Sequence, residues 1–104
     1  MNASRKLEAF FLESMNSYFL YILYSDNLNR YYIGISKDPD TRLHYHNSFP
    51  KGWTRRGRPW RIVFMKRFNS KGEARNWEMW IKSQKKPAII EKMIKREFDW
   101  TLQI

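Results

Sequence analysis

The run Tyr18 to Tyr24, YFLYILY, contains no breaker and carries aromatic and aliphatic side chains on both of its faces. Side chains of an extended chain alternate with period two, so such a strand needs cover above and below and must sit centrally in a layered fold. Ser25 to Arg30 has turn composition, and Tyr31 to Ile35 reads as the returning strand of a hairpin. Alternation puts Tyr21 on one face of the first strand and Tyr32 with Gly34 on one face of the second. If the register joins those faces, the two phenols lie within side-chain reach across the hairpin. Gly34 leaves an opening beyond Tyr32, room for a phosphate, another backbone, a bulge or a packed neighbour.

Asp38-Pro39 is a helix start, with Asp38 as N-cap and Pro39 at the first helical position. In a helix running to about Asn47, Arg42 and His46 are four apart and share a face. A guanidinium supplies paired planar donors and an imidazole titrates near neutrality, so the two suit a phosphodiester clamp, although an ordinary polar helix face has the same spacing. His44 points elsewhere, as a surface residue. Ser48 to Pro59 is a connection broken by Pro50, Gly52, Gly57 and Pro59. It carries Lys51, Trp53, Arg55, Arg56 and Arg58, the composition of a loop that follows a nucleic-acid backbone and stacks on a base. The alternative is that Trp53 folds back over the core.

Trp60 to Phe68 reads as a third strand, with Ile62 and Phe64 expected on one face and Val63 and Met65 on the other. Ser70 is the N-cap of a helix to about Gln84, with Glu73 at the third position of a capping box. Ala74, Trp77, Glu78 and Ile81 fall within one arc of that helix, which puts Glu78 on its apolar stripe. A carboxylate there needs a partner, either a metal, a cation or an arginine beneath the helix. Ala88 to about Phe98 is expected as a last helix. Ser4 to Met15 is expected as a first one, stopped at Asn16-Ser17, so the chain divides into an N-terminal helical extension, 1–17, and a domain, 18–104.

Charge adds a functional constraint. The net charge is +10 at pH 7, and between Lys37 and Lys86 stand 14 Lys and Arg against four acids, so the whole excess overlaps the candidate site. A polyanion-binding surface needs that distribution; the alternative is a solvated basic surface kept for solubility. With 104 residues and no cysteine, one modest core is expected, without disulfides or a thiolate zinc site. Phe10-Phe11-Leu12 is too short for a signal peptide and no run approaches a membrane span, so a soluble, cytoplasmic protein is expected, monomeric by default.

Taken in order, Tyr21, Tyr32-Ile33-Gly34, Lys37-Asp38, Arg42, His46 and Glu78 make the chain resemble the GIY-YIG nuclease domain over roughly Tyr18 to Ile94. The first tripeptide reads Leu20-Tyr21-Ile22 where the family name has Gly-Ile-Tyr. The resemblance implies an α/β (α+β) sandwich, a small three-stranded antiparallel sheet flanked by helices with the site on one sheet face. It further implies a metal-dependent endonuclease that hydrolyses DNA phosphodiester bonds, in repair or recombination. In that reading Glu78 is the single ligand of Mg2+ or Mn2+, Arg42 stabilises phosphoryl charge, and Tyr21 and Tyr32 flank the attacking water. Lys37 matches a lysine of the excision-repair branch, and a phenol whose pKa is lowered by Lys37 or Arg42 would serve as general base. Two other readings stay open: a nucleic-acid-binding module with weak or no cleavage, and an RNA-directed or interaction role.

Overall fold

In a computed structural model that describes residues 17–49 and 51–104, the apolar run forms β1 (Tyr18–Ser25) at the centre of a three-stranded antiparallel sheet. Its neighbours are β2 (Arg30–Ser36) and β3 (Trp60–Phe68), in the order β2-β1-β3. Three helices follow or interrupt the strands: α1 (Pro39–Ser48), α2 (Lys71–Gln84) and α3 (Pro87–Ile94). The expected α+β sandwich is the observed fold. The first helix expected from the sequence, Ser4 to Met15, lies outside the described residues; Ser17, which follows it, is buried and accepts a hydrogen bond from Arg67 Nε at 2.8 Å.

The two faces of β1 have separate packing partners. Leu20 and Ile22 join Ile33, Phe68, Ala74, Trp77, Ile81 and Met93 in the main core beneath α2 and α3. Tyr21 and Leu23 join Trp60 in a second cluster, with Leu28, Tyr32, Leu43 and Ile62 against it. Both faces are therefore covered, as a strand apolar on both sides requires.

One expectation about β3 fails for a local reason. Ile22 pairs with Phe64 but Leu23 pairs with Ile62, so Val63 is an extra residue on the β3 side. A bulge reverses the alternation beyond it. Ile62 thus packs with Tyr21 and Leu23, whereas Phe64 packs on the opposite face with Val63, and the two do not share a face.

The connection after α1 is more ordered than its breakers suggest, because Trp53–Gly57 forms a 3-10 helix. Asn47 holds it to the sheet: its side chain accepts from Trp60 N–H at 2.7 Å and donates to the Trp60 carbonyl at 3.0 Å. Trp60 Nε1 in turn donates to the Thr54 carbonyl at 2.6 Å. At Gly57 a Cβ would lie 2.6 Å from Trp60 Cε2, so this indole can seat itself only over a glycine.

The last helix is shorter than its apolar periodicity predicts. α3 ends at Ile94 because Arg96 is left-handed, with φ 61°, and Arg96 N–H and Glu97 N–H donate to the carbonyls of Met93 and Lys92. That is the bonding pattern of a Schellman stop. Phe98 still packs inward, but from the returning chain, with its ring 5.7 Å from Trp77 and 4.8 Å from Trp100. No helix among the described residues is long and apolar enough to cross a membrane.

Candidate active site

Strand register brings the two motif tyrosines together. Tyr21 pairs with Gly34 and Leu23 with Tyr32, so Tyr21 and Tyr32 are diagonal neighbours on one face, their ring centroids 6.3 Å apart. The opening at Gly34 is occupied by Tyr21 itself: a Cβ there would lie 2.6 Å from the phenol Cζ. Of the uses open to this glycine, a packing need is the one observed. Gly34→Ala must push the Tyr21 ring out of a position where it is only 1 % exposed. Overpacking of this kind destabilises by about 1–3 kcal/mol, and chemical denaturation of the variant should show that loss. An unchanged midpoint would mean that the Tyr21 ring is not held against the strand.

From the other elements, α1 and α2 add charged groups to this pair. Asp38 caps α1, accepting from Thr41 N–H at 3.2 Å, which sets the phase of the helix and hence of Arg42 and His46. The Arg42 guanidinium hydrogen-bonds the Tyr21 phenol and lies 4.9 Å over the Tyr45 ring. Burial raises the Tyr21 pKa above the ordinary phenol value; the Arg42 hydrogen bond opposes this, and nearby Tyr32 and Glu78 reinforce the rise. The expectation of a lowered phenol pKa is therefore wrong for Tyr21, because loss of solvent outweighs the one cation that assists ionisation. Tyr21 is a neutral hydrogen-bonding group at neutral pH. It also senses groups on three different elements: Tyr32 on β2, Arg42 on α1 and Glu78 on α2.

His46 lies one turn from Arg42 but inside, 4 % exposed, with its ring 4.5 Å from Tyr32. Burial lowers its pKa, and the charge of Arg42 lowers it further, so the imidazole is neutral at pH 7. Among the described residues neither ring nitrogen has a hydrogen-bond partner. Two buried polar atoms without a protein partner are costly, and a site that receives a polar substrate is one place where such a cost is tolerated.

Glu78 is half-buried on α2 and meets Lys82, four residues on, at 3.3 Å. The arginine considered as a partner beneath the helix is replaced by this lysine, whose side chain is 54 % exposed. Glutamate preceding lysine by four is the favourable helical orientation, a signal visible in the sequence but not used there. Among the described residues no three His, Asp or Glu side chains converge to hold a metal ion. One carboxylate suits a hard divalent cation that keeps most of its water and takes phosphate oxygens, and Glu78 fits that pattern.

The remaining candidates stand around this group at different removes. Trp53 is 54 % exposed and its ring is 5.9 Å from both Tyr32 and Trp60, so it forms the rim of the site instead of folding into the core. Lys51, Arg55 and Arg56 line a shallow concavity of about 510 Å³ beside it. Arg58 is turned inward, its Nε donating to the His46 carbonyl at 3.1 Å while its own carbonyl accepts from Asn27. Lys37 stands 5.7 Å over the Tyr18 ring, which Lys71 also faces at 5.8 Å. Asn47 and Lys82 were missed by sequence reasoning; for Asn47 no sequence signal distinguishes it from a helix-terminal polar residue.

A model of the GIY-YIG catalytic domain matches residues 17–94. The solution NMR structure of a UPF0213 protein from Bacillus halodurans is similar, with 30% identity over 78% of this chain and 90% of that one and a TM-score of 0.45. No curated protein matches the chain.

Proposed function

The chain belongs to the GIY-YIG catalytic domain family, a family of nucleases, and from this premise we propose that it is a metal-dependent endonuclease that hydrolyses DNA phosphodiester bonds. The domain in question is 18–104, and repair or recombination of DNA is the setting that suits it. The observation that supports the reading best is the convergence on one buried phenol: the Tyr32 ring lies 6.3 Å from that of Tyr21, and Arg42 and Glu78, from two further elements, both act on its ionisation.

Each group has a part that follows from its surroundings. Arg42 is exposed and offers planar paired donors, so it binds two oxygens of the scissile phosphate and stabilises charge as it develops. Tyr21, buried and neutral, orients Arg42 through their hydrogen bond. Tyr32 is only half-buried and shares a concavity of about 320 Å³ with Trp53 and Lys82, so it is the phenol that can meet the attacking water. His46, neutral beside Tyr32 and without a hydrogen-bond partner among the described residues, provides a buried proton acceptor. Glu78 would hold Mg2+ or Mn2+, which when bound supplies Lewis-acid stabilisation of the phosphate and its leaving oxygen. Lys51, Trp53, Arg55, Arg56 and Arg58 extend the positive surface that receives the backbone, and Lys37 adds to it from the Tyr18 side.

The test is nicking of supercoiled plasmid in magnesium or manganese, with chelator as control. Conversion to open circles in either metal, and none with chelator, is expected. Intact plasmid under all conditions, with binding retained, would replace the nuclease by a nucleic-acid-binding module.

A further inference from the structure

Among the described residues β2 is an outer strand, paired with β1 on one side only, and between the β1–β2 hairpin and the corner joining α2 to α3 lies a groove of about 1,260 Å³. Arg30 and Tyr31 come from the start of β2, Lys82 and Lys85 from the end of α2, and Lys86 and Glu91 from the next turn and α3. Four cations face one carboxylate. Lys85 has φ 51°, which ends α2 abruptly and sets Lys85 and Lys86 at the corner before Pro87. Tyr31 contributes an aromatic face, its ring 5.1 Å from that of Tyr24.

The groove continues into the candidate active site. The smaller concavity that holds Tyr32 and Trp53 is also lined by Tyr31, Ile33 and Lys82, all three of which line the large groove. Tyr32 and Tyr31 with Ile33 point to opposite faces of β2, so the smaller concavity wraps the edge of β2 that has no strand partner among the described residues.

We infer that this groove is a second nucleic-acid subsite, which carries the strand away from the scissile phosphate around the free edge of β2. The inference rests on the nuclease reading, because continuity with a phosphodiester site is what selects a nucleic acid over another polyanion. Phosphates meet Arg30, Lys85 and Lys86, and Tyr31 offers a surface for sugar or base. A second copy of the chain is disfavoured as occupant, since each copy carries a net charge of +10 and would bring cations against cations.

The experiment compares the unaltered protein with the combined variant Arg30→Gln, Lys85→Asn, Lys86→Gln; asparagine is chosen at Lys85 because it accepts positive φ. Binding to a fluorescein-labelled duplex is followed by anisotropy with chelator present, over a range of salt concentrations. Loss of three phosphate contacts should reduce the slope of log affinity against log salt by about 2 to 3. Nicking at saturating protein should stay at the unaltered rate while nicking at limiting protein falls, because none of the three residues touches Tyr21, Arg42 or Glu78. A variant that does not fold is replaced by Lys86→Gln alone, for which a slope lower by about 1 is expected. An unchanged slope with full binding by both proteins overturns the groove and leaves the nuclease reading intact. A dimer of the unaltered protein that the substitutions dissolve assigns the groove to a second copy, which also overturns it. No binding of duplex by the unaltered protein overturns the groove and the nuclease reading together.

Discussion

Glu78→Gln is expected to abolish metal-dependent cleavage and to leave the protein as stable as before. Glutamine keeps the size of the side chain but loses the charge that a hard cation needs, and among the described residues no cluster of three acidic or histidine ligands stands ready to compensate. The stability forecast follows from the partner. Lys82 is more than half exposed, so the ion pair is of the helical surface kind and contributes about 0.3–0.5 kcal/mol. Burial of Glu78 itself carries a desolvation cost that glutamine relieves, and the two effects offset. DNA binding should persist, since a negative charge has been removed from a basic surface. Plasmid nicking, duplex binding and thermal unfolding in chelator measure the three consequences separately. A loss of about 3–5 kcal/mol would identify a buried pair whose other member has been stranded. If such a variant also cleaved DNA, the metal role of Glu78 would be excluded.

Much of the architecture was legible because strong local patterns agreed with the tertiary arrangement. Tyr18 to Tyr24 required cover on both faces, and α1 on one side with α2 and α3 on the other supplies it. Asp38-Pro39 and Ser70 marked helix starts by capping chemistry, and both side chains accept the expected backbone N–H. The failures have nonlocal causes. Nothing in Arg61-Ile62-Val63-Phe64 announces a bulge, because the extra residue is apolar like its neighbours and is defined only by pairing with β1. Phe98 extended the apolar period of α3, yet its burial comes from a chain reversal at Arg96, where no glycine signalled a left-handed residue. In the candidate site, residue types and order could be read directly, but burial could not. Arg42 and His46 share a helix face by spacing, and only packing reveals that one is exposed while the other is enclosed beside Tyr32.

Arg42→Ala and Arg42→Lys should both lower cleavage by about 100-fold to 1,000-fold, the loss seen when one preorganised donor to a transition state is removed. The lysine variant is the informative one. It keeps a positive charge near the same place, so a role confined to long-range attraction would survive it. Paired donation to two phosphate oxygens would not, because an ammonium lacks the planar fork. The surroundings supply an independent check on position. Arg42 opposes the rise of the Tyr21 pKa and adds to the fall of the His46 pKa, so its removal should move both upward. For His46, whose folded pKa lies below the ordinary value, the neutral form favoured by folding gives a stability that is present above the unfolded pKa and lost as pH falls. Weakening the depression in Arg42→Ala should therefore reduce the acid destabilisation due to His46, while Arg42→Lys should largely retain it. NMR titration of the His46 imidazole, read beside plasmid nicking, separates the two functions of one guanidinium. A His46 titration unmoved by Arg42→Ala would show that the guanidinium does not stand where the site requires it, and wild-type nicking by Arg42→Lys would reduce its role to charge alone.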